Sequence, residues 1–140
     1  MITSTIVQSD ADRLAVIDVA YAANGVTGPR DLYRARRLSS PLRDRAAWWL
    51  LRVDGAPASS LLCHPLRFWH RGRERAGFGL GSVATHPDWR GRDLARTLCR
   101  AVADDAAAQG RDLGLLFSAI PTRFYEDIGY RCIPAWSWRC

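Results

Sequence analysis

The stretch that decides the fold is Val83–Ala95, VATHPDWRGRDLA, in which an apolar strand runs into a glycine-containing turn and then into a helix. Apolar residues recur every four positions from Leu94 to Val102. This spacing predicts an amphipathic helix over 92–109 that ends at Gly110. A strand that leads through a glycine turn into a long helix is one half of an α/β crossover.

The beginning of this helix predicts an anion site. The first main-chain N–H groups of a helix have no intrahelical acceptor, and they lie at the positive end of the helix dipole. Arg90, Arg92 and Arg96 cluster around that end, as a polyphosphate ligand would require. On spacing alone, an ordinary strand-to-helix loop with solvated arginines fits the same residues equally well.

The segments on either side of the helix predict two parallel strands. Residues 76–85 precede the helix, and Leu113–Ser118 is a short apolar run that predicts a buried strand. Because a long helix separates them, the strands at 76–85 and 112–118 should run parallel.

The amino-terminal half predicts further strands and two helices. Its helix over 11–23 has Ser9 or Asp10 as the capping residue. The remaining predictions are strands at 2–8, 46–53 and 58–69, a short basic helix or loop at 30–38, a tight turn at Asp54-Gly55 and a looser turn at Arg71-Gly72-Arg73. The fold class is therefore α/β, with a central twisted mixed sheet and helices on both sides.

The carboxyl-terminal segment predicts a short helix and one last strand. Pro121 suits the first turn of a helix with Phe124 and Ile128 on its inner face, and Gly129 ends it. Tyr130–Arg139 has room for one strand, on which Trp136 and Trp138 share a face. Homodimer pairing through this strand and packing of both rings in the core explain the two tryptophans equally well.

Composition narrows the class of protein. The chain has 140 residues, which predicts a single domain over 1–140, and its 48% apolar content excludes disorder. All 20 basic side chains are arginine, and the net charge of +6 favours an anionic partner. No apolar run approaches the ~20 residues of a membrane span. The sequence lacks a signal peptide and metal-ligand spacings among its cysteines, so we expect reduced thiols, no metal and a cytoplasmic location.

Two motifs resemble those of the GNAT N-acetyltransferase superfamily. The first is VATHPDWRGRDLA, which is similar to that family's acetyl-CoA motif, Arg/Gln-x-x-Gly-x-Gly/Ala after a strand. The second is Leu116–Tyr130, LFSAIPTRFYEDIGY, which resembles the family's strand followed by Phe-Tyr-x-x-x-Gly-Tyr/Phe. The resemblance covers 76–130 and implies a GNAT-like mixed sheet whose two parallel strands splay apart. It also implies direct transfer of an acetyl group from acetyl-CoA to a small-molecule or protein amine.

The resemblance also assigns site residues. Tyr125 matches the tyrosine that protonates the departing thiolate in many members. Backbone groups of Val83, Ala84 and Thr85 would pair with the pantetheine arm of coenzyme A. The pyrophosphate would lie against Arg90, Gly91, Arg92, Asp93, Leu94, Ala95 and Arg96. The acceptor side should involve residues 24–45, by analogy with the family.

Two features depart from the family pattern. Asp93 stands at the motif glycine, and a carboxylate about 5 Å from a phosphate charge costs roughly 1–3 kcal/mol. We therefore expect weakened binding of coenzyme A, with a degenerate GNAT-fold pseudoenzyme or scaffold as the alternative. The second departure is the carboxyl end, which has room for one strand after Tyr130 where relatives have a hairpin.

The sequence assigns no general base and names no acceptor. The resemblance implies a glutamate near the substrate end of the splayed strands, and neither strand contains one. The other titratable candidates are better explained as structural or solvated side chains; they are Glu126, His64, His86 and Asp88.

A basic nucleic-acid-binding module is the rival from another functional class. This hypothesis rests on two blocks of arginines, at 30–45 and 67–75. The second block is interleaved with Phe68, Trp69 and His70, on which bases could stack. No recognition motif accompanies them, so a solvated face or a clamp for an acidic substrate is favoured and nucleic acid is not the expected partner.

Overall fold

Two consecutive tryptophans show how the sheet divides the core. In the computed structural model, which describes residues 1–118 and 120–134, Trp48 and Trp49 are both buried and point to opposite faces of one strand. Trp48 packs in a cluster with Val16 and Ile17 of the first helix. Trp49 packs with Leu98 and other residues of the long helix. Helices therefore cover both faces of the sheet, and the predicted mixed α/β class is confirmed.

The sheet has five strands in the order β1-β2-β3-β4-β5. The first four pair antiparallel in succession, and β4 pairs with β5 in parallel, as the crossover predicts. The elements are β1 (Ile2–Ile6), α1 (Asp10–Ala23), α2 (Arg30–Leu38), β2 (Ala47–Val53), β3 (Ala56–His70), β4 (Arg73–Thr85), α3 (Leu94–Ala108), β5 (Gly114–Leu115) and α4 (Arg123–Glu126). The alternatives at 30–38 are thus resolved in favour of a helix.

Two hairpin turns have the same tight geometry. Asp54-Gly55 has φ angles of 48° and 83°, and Arg71-Gly72 has φ angles of 50° and 72°. Positive φ at both central residues is the turn whose twist suits an antiparallel hairpin. The prediction is confirmed for the first turn. It is wrong for the second, which closes in two residues between His70 and Arg73 rather than as a looser turn.

The two long helices begin at different kinds of residue. Ser9 caps α1 by accepting the Asp12 N–H at 3.1 Å, which decides between the two predicted caps. The α3 helix begins at Leu94 instead of residue 92, because Gly91 and Asp93 have φ of 74° and 58°, outside the helical region.

The prediction of a buried strand over Leu113–Ser118 is wrong. Two of its residues, Gly114 and Leu115, pair with β4, and Phe117 is 85% exposed. The apolar run is long enough for a buried strand, but within the described residues no further strand covers its other edge.

The last predicted strand and its tryptophans are only partly covered by the described residues. Residues 130–134 form no strand. Trp136 and Trp138 lie outside the described residues, so the homodimer through this segment stays a prediction. Within the described residues, no helix has the length and apolar character needed to cross a membrane, and no three metal-binding side chains come together.

The buried thiol of Cys99 predicts how stability depends on pH. Cys99 is 1% exposed on α3, and burial raises its pKa from 9.0 to about 12. Above pH 9 the unfolded chain releases this proton while the folded chain retains it, so the free energy of unfolding falls as pH rises towards 12. The loss from this group is about 1.4 kcal/mol for each pH unit in that window.

Urea unfolding between pH 8 and 11 measures this loss. We expect Cys99→Ala to be less stable at pH 8, because it leaves a cavity, and to lose less stability above pH 9. Cys132→Ala removes an exposed thiol and should leave the native pH dependence unchanged. Equal pH slopes in native protein and Cys99→Ala would contradict the assignment.

Candidate functional site

The site begins where β4 and β5 part. Their pairing comprises Phe78 with Gly114 and Gly79 with Leu115, and the Phe78 N–H donates to the Leu113 carbonyl at 2.9 Å. A Cβ on Gly114 would lie 2.7 Å from the Phe78 ring, so this close pairing requires glycine. Beyond it, β4 continues to Thr85 with no partner strand on that edge among the described residues.

A bulge bends β4 along this open edge. Ser60 of β3 pairs with Ala84 and Leu62 pairs with Gly81, so β4 has one more residue than β3 in this interval. Ser82 lies in the bulge with a φ of 52°, a conformation that non-glycine residues rarely adopt. Bulges re-aim the main chain of a strand, and they recur beside active sites.

The main-chain groups of the predicted pantetheine segment point in two directions. The Ala84 carbonyl accepts a hydrogen bond from Ser59 Oγ at 2.7 Å, and the His86 N–H donates to the Ala58 carbonyl of β3. The main-chain groups of successive residues in a strand point to opposite edges, so those of Thr85 point towards the open edge of β4. Of the three predicted residues Val83–Thr85, the middle one is thus already engaged by β3.

A run of six main-chain N–H groups lies unpaired at the start of α3. The first helical bond runs from the Thr97 N–H to the Asp93 carbonyl. Within the described residues, the N–H groups of Gly91–Arg96 have no protein acceptor. Positive φ at Gly91 and Asp93 curls this segment at the positive end of the α3 dipole. Such an arrangement binds anions.

The three arginines predicted beside this anion site each have a protein partner. Arg90 Nη2 donates to the Ala23 carbonyl at the end of α1, at 2.7 Å. The Arg92 guanidinium lies 4.7 Å from the centre of the Trp89 ring. Arg96 donates to carboxylates and to a main-chain carbonyl, as described next. Each of the three guanidinium groups is therefore held by a contact within the protein, while the main-chain N–H groups of Gly91–Arg96 have no protein acceptor among the described residues.

Arg96 connects the start of α3 to α4. Its Nη1 donates to Asp93 Oδ1 at 2.8 Å, and its Nη2 donates to Asp127 Oδ2 at 3.0 Å. Its Nε reaches the Phe124 carbonyl at 3.4 Å, and the guanidinium lies 4.9 Å from the centre of the Phe124 ring. Arg96 thus offsets the charge of Asp93 and holds α4 beside the turn at Gly91–Asp93.

Tyr125 lies on α4 with its side chain in the core. It is 8% exposed, and its ring packs edge-on against Phe124 and Tyr130. Burial raises the pKa of the Tyr125 phenol above 10, the Cys99 thiol adds to the rise, and the Ser118 hydroxyl opposes it. The phenol is therefore protonated at neutral pH and able to donate a proton.

The titratable groups weighed as general bases are spread over the molecule. His86 accepts the Asp88 N–H through Nδ1 at 3.3 Å, so it belongs to the turn before α3. Glu126 is exposed on α4. His64 lies against Gly81 of β4, where a Cβ would come within 3.2 Å of His64 Nε2. Of these four side chains, His64 is the one beside the bulge.

Several residues of the site have no signal in the sequence. Asp127 is separated from Arg96 by 31 positions, and Arg37 is separated from its partner Ser82 by 45. Side chains so far apart in the chain meet only because helices and strands pack. The bulge at Ser82 likewise follows from a mismatch between two strands, which a single strand's sequence does not contain.

Comparisons with known proteins identify the family of this chain. A family model described as an acetyltransferase (GNAT) domain matches residues 7–133. No curated protein matches the chain in sequence.

Three solved structures illustrate the likeness of fold. Glucosamine-6-phosphate N-acetyltransferase from Arabidopsis thaliana has a TM-score of 0.72 and 15% identity, covering 100% of this chain and 98% of its own. Ribosomal-protein-alanine N-acetyltransferase from Brucella melitensis biovar Abortus 2308 has a TM-score of 0.76 and 19% identity, covering 100% of this chain and 99% of its own. An aminoglycoside acetyltransferase from an uncultured soil metagenomic sample has a TM-score of 0.73 and 15% identity, covering 100% of this chain and 99% of its own. The three names state different acceptors, so the shared fold does not select one.

The tie between α3 and α4 predicts an energetic coupling. In a double-mutant cycle of Arg96→Gln and Asp127→Asn, we expect a coupling on the order of 1 kcal/mol in the free energy of unfolding, because Arg96 is partly buried and shared by several acceptors. Urea unfolding of the four proteins measures it. The exposed pair Arg67–Glu74 serves as the control, with an expected coupling of about 0.5 kcal/mol or less. A coupling no larger than the control's would contradict the role of Arg96.

Proposed function

We propose, because this chain belongs to the GNAT acetyltransferase family, that it transfers an acetyl group from acetyl-CoA directly to an amine. The observation that carries the proposal is the run of unpaired N–H groups at Gly91–Arg96 beside the open edge of β4. An anion-binding turn next to an unpaired strand edge suits a ligand with a pyrophosphate at one end and an amide-containing arm.

The chain's own groups fit coenzyme A in two places. The N–H groups of Gly91–Arg96 would bind the pyrophosphate, and main-chain groups of Val83 and Thr85 would pair with the pantetheine arm. Ala84 is less suited than its neighbours, because its carbonyl already accepts from Ser59. Acetyl-CoA supplies the activated acyl group as a thioester, and no metal enters the proposed reaction.

Tyr125 is the proposed general acid. In the transfer, the amine nitrogen forms a bond to the thioester carbonyl carbon, and the carbon–sulfur bond breaks. The Tyr125 hydroxyl would donate its proton to the departing sulfur, the excess proton of the amine would pass to water, and water would return a proton to the Tyr125 phenolate. A phenol with its ordinary pKa near 10 already keeps its proton throughout the neutral range, and burial raises the pKa of Tyr125 further, so the group is in the protonated form that a general acid needs.

The alternatives are a pseudoenzyme and a nucleic-acid module. Asp93 carries the pseudoenzyme hypothesis, but its ion pair with Arg96 offsets the repulsion that a bound phosphate would feel. The arginines of the nucleic-acid hypothesis are in part paired internally, as in Arg75 with Asp112. Both observations favour the transferase over the two alternatives.

We also propose a cytoplasmic location.

A first prediction concerns Asp93 and the affinity for coenzyme A. Asp93→Asn removes the charge and keeps a side chain that tolerates positive φ, so we expect acetyl-CoA to bind roughly 5- to 10-fold more tightly in calorimetric titration. Asp93→Gly should give a similar gain in affinity and, by relieving the backbone, an additional gain in stability of about 1 kcal/mol.

Asp88→Asn is the control for this prediction, because Asp88 is an exposed carboxylate of the preceding turn and should change the affinity little. If neither variant at position 93 gains affinity, electrostatic repulsion by Asp93 is the wrong explanation. If neither the native protein nor any variant binds acetyl-CoA or free CoA, the enzyme proposal fails.

A second prediction concerns Tyr125. We expect Tyr125→Phe to lower kcat by about 100-fold while the dissociation constant of acetyl-CoA stays within about twofold, because the lost hydroxyl acts on the leaving group. In the native enzyme, the rate should show no fall from Tyr125 ionisation below pH 10.

Tyr130→Phe is the matched control, since the Tyr130 hydroxyl is buried without a hydrogen-bond partner among the described residues. Its removal should leave kcat nearly unchanged. A Tyr125→Phe enzyme with native kcat, measured from the release of CoA, would remove Tyr125 from the reaction.

A further inference from the structure

Arg37 differs from most other partly buried arginines of the described chain. Five of these arginines have a carboxylate within 4.0 Å; they are Arg13, Arg34, Arg43, Arg52 and Arg96. Arg111 has none and donates instead to the Gly77 carbonyl. Arg37 has no carboxylate either, and its one hydrogen bond within the described residues goes to a neutral side chain, Ser82 Oγ, at 3.2 Å.

The position of Arg37 relates it to the proposed reaction. Ser82 is the residue that forms the bulge of β4, just beyond the point where β4 leaves β5. Arg37 lies on α2, whose Tyr33 and Leu38 pack against the cluster between α1 and the sheet. The guanidinium therefore reaches the bulge from the α1 and α2 face of the sheet, opposite to the face that α3 covers.

The two substrates of a direct transfer must meet at one point. The anion-binding turn lies at the start of α3, so coenzyme A would enter the gap between β4 and β5 from the α3 side. The α1 and α2 face of the bulge is then left for the acceptor, which must bring its nitrogen to the thioester carbon. Arg37 stands on that face, at the bulge itself.

The chemistry of a guanidinium selects the ligand. Arg37 has five N–H donors, and the described residues accept from one of them. A planar fork of N–H groups fits a carboxylate or a phosphate with two parallel bonds. Arg34, one turn earlier on α2, shows this use within the protein, since two of its nitrogens donate to the two oxygens of Asp18.

On the basis of the proposed function, we propose that the acceptor is an amine that also carries a carboxylate or phosphate group, and that Arg37 binds this anionic group. A neutral amine of the same size would lack this contact. Arg37 is then a residue that determines the acceptor class.

The test compares amines that differ in the anionic group alone. We would measure kcat/KM with acetyl-CoA for two pairs, 3-aminopropanoate against 3-amino-1-propanol and phosphoethanolamine against ethanolamine. The native enzyme should prefer the anionic member of at least one pair by on the order of 10- to 100-fold, and the pair with the larger preference distinguishes carboxylate from phosphate. Arg37→Gln should abolish the preference by raising KM for the anionic amine, and Arg37→Lys should keep part of it.

Arg36→Gln is the matched control, because Arg36 is an exposed neighbour on the same helix and should leave the preference intact. Calorimetric titration with acetyl-CoA should give the same affinity for Arg37→Gln as for native protein, which separates acceptor binding from cofactor binding.

A further titration, with the same four amines and no cofactor, tests the contact independently of turnover. Native protein should bind an anionic amine more tightly than its neutral counterpart, and Arg37→Gln should not. If native protein shows no preference for the anionic amine in either pair, the proposal is overturned. It is also overturned if Arg37→Gln lowers kcat/KM or affinity equally for the anionic and the neutral member. Failure of acetyl-CoA to bind overturns the proposed function instead, and the cofactor-free titration still decides whether Arg37 binds the anion.

Discussion

The parallel pairing of β4 with β5 is the constraint on which the rest of the site depends. It extends over two residue pairs, and it is held close because Gly114 has no side chain to push against Phe78. Since the pairing ends at Leu115, the remainder of β4 keeps an open edge up to Thr85. After that edge the chain turns into α3, which begins with N–H groups that no described residue accepts, and after β5 it continues into α4, which carries Tyr125.

The distribution of charge within the site follows from how arginine is used in this chain. A protein without lysine has guanidinium groups at every basic position, and many of them bind acceptors inside the molecule. Arg90 and Arg96 satisfy carbonyl and carboxylate groups at the ends of helices, so they fix the turn in place. The main-chain N–H groups of Gly91–Arg96 are then left without an acceptor among the described residues. Arg37 differs from Arg96, because the one acceptor that the described residues offer its guanidinium is a hydroxyl and none is a carboxylate.

Rules on helix period, capping and turn residues predicted those elements that depend only on neighbouring positions in the sequence. The period of α3, a cap at Ser9 or Asp10 and the turn at Asp54-Gly55 all follow from side chains within a few positions, and the structure confirms them with Ser9 as the cap. The prediction of a buried strand at Leu113–Ser118 is wrong, because burial of this apolar run depends on whether another strand covers it. In the candidate site, the free N–H groups of Gly91–Arg96 were predictable because they are consecutive main-chain groups at the start of a helix.

By itself, the sequence determined the order of strands and helices, the crossover that makes β4 and β5 parallel, and the position of the glycine-containing turn before α3. These depend on periodicity, turn residues and the free N–H groups of a helix start, all of which act between near neighbours. Tertiary structure alone decided that Arg96 pairs with Asp127, that Ser82 forms a bulge and that Arg37 reaches it. The two side-chain contacts join residues 31 and 45 positions apart, and the strand pairs on either side of the bulge join residues of two different strands. Their distances are set by how strands register and helices pack, which no local stretch of sequence specifies.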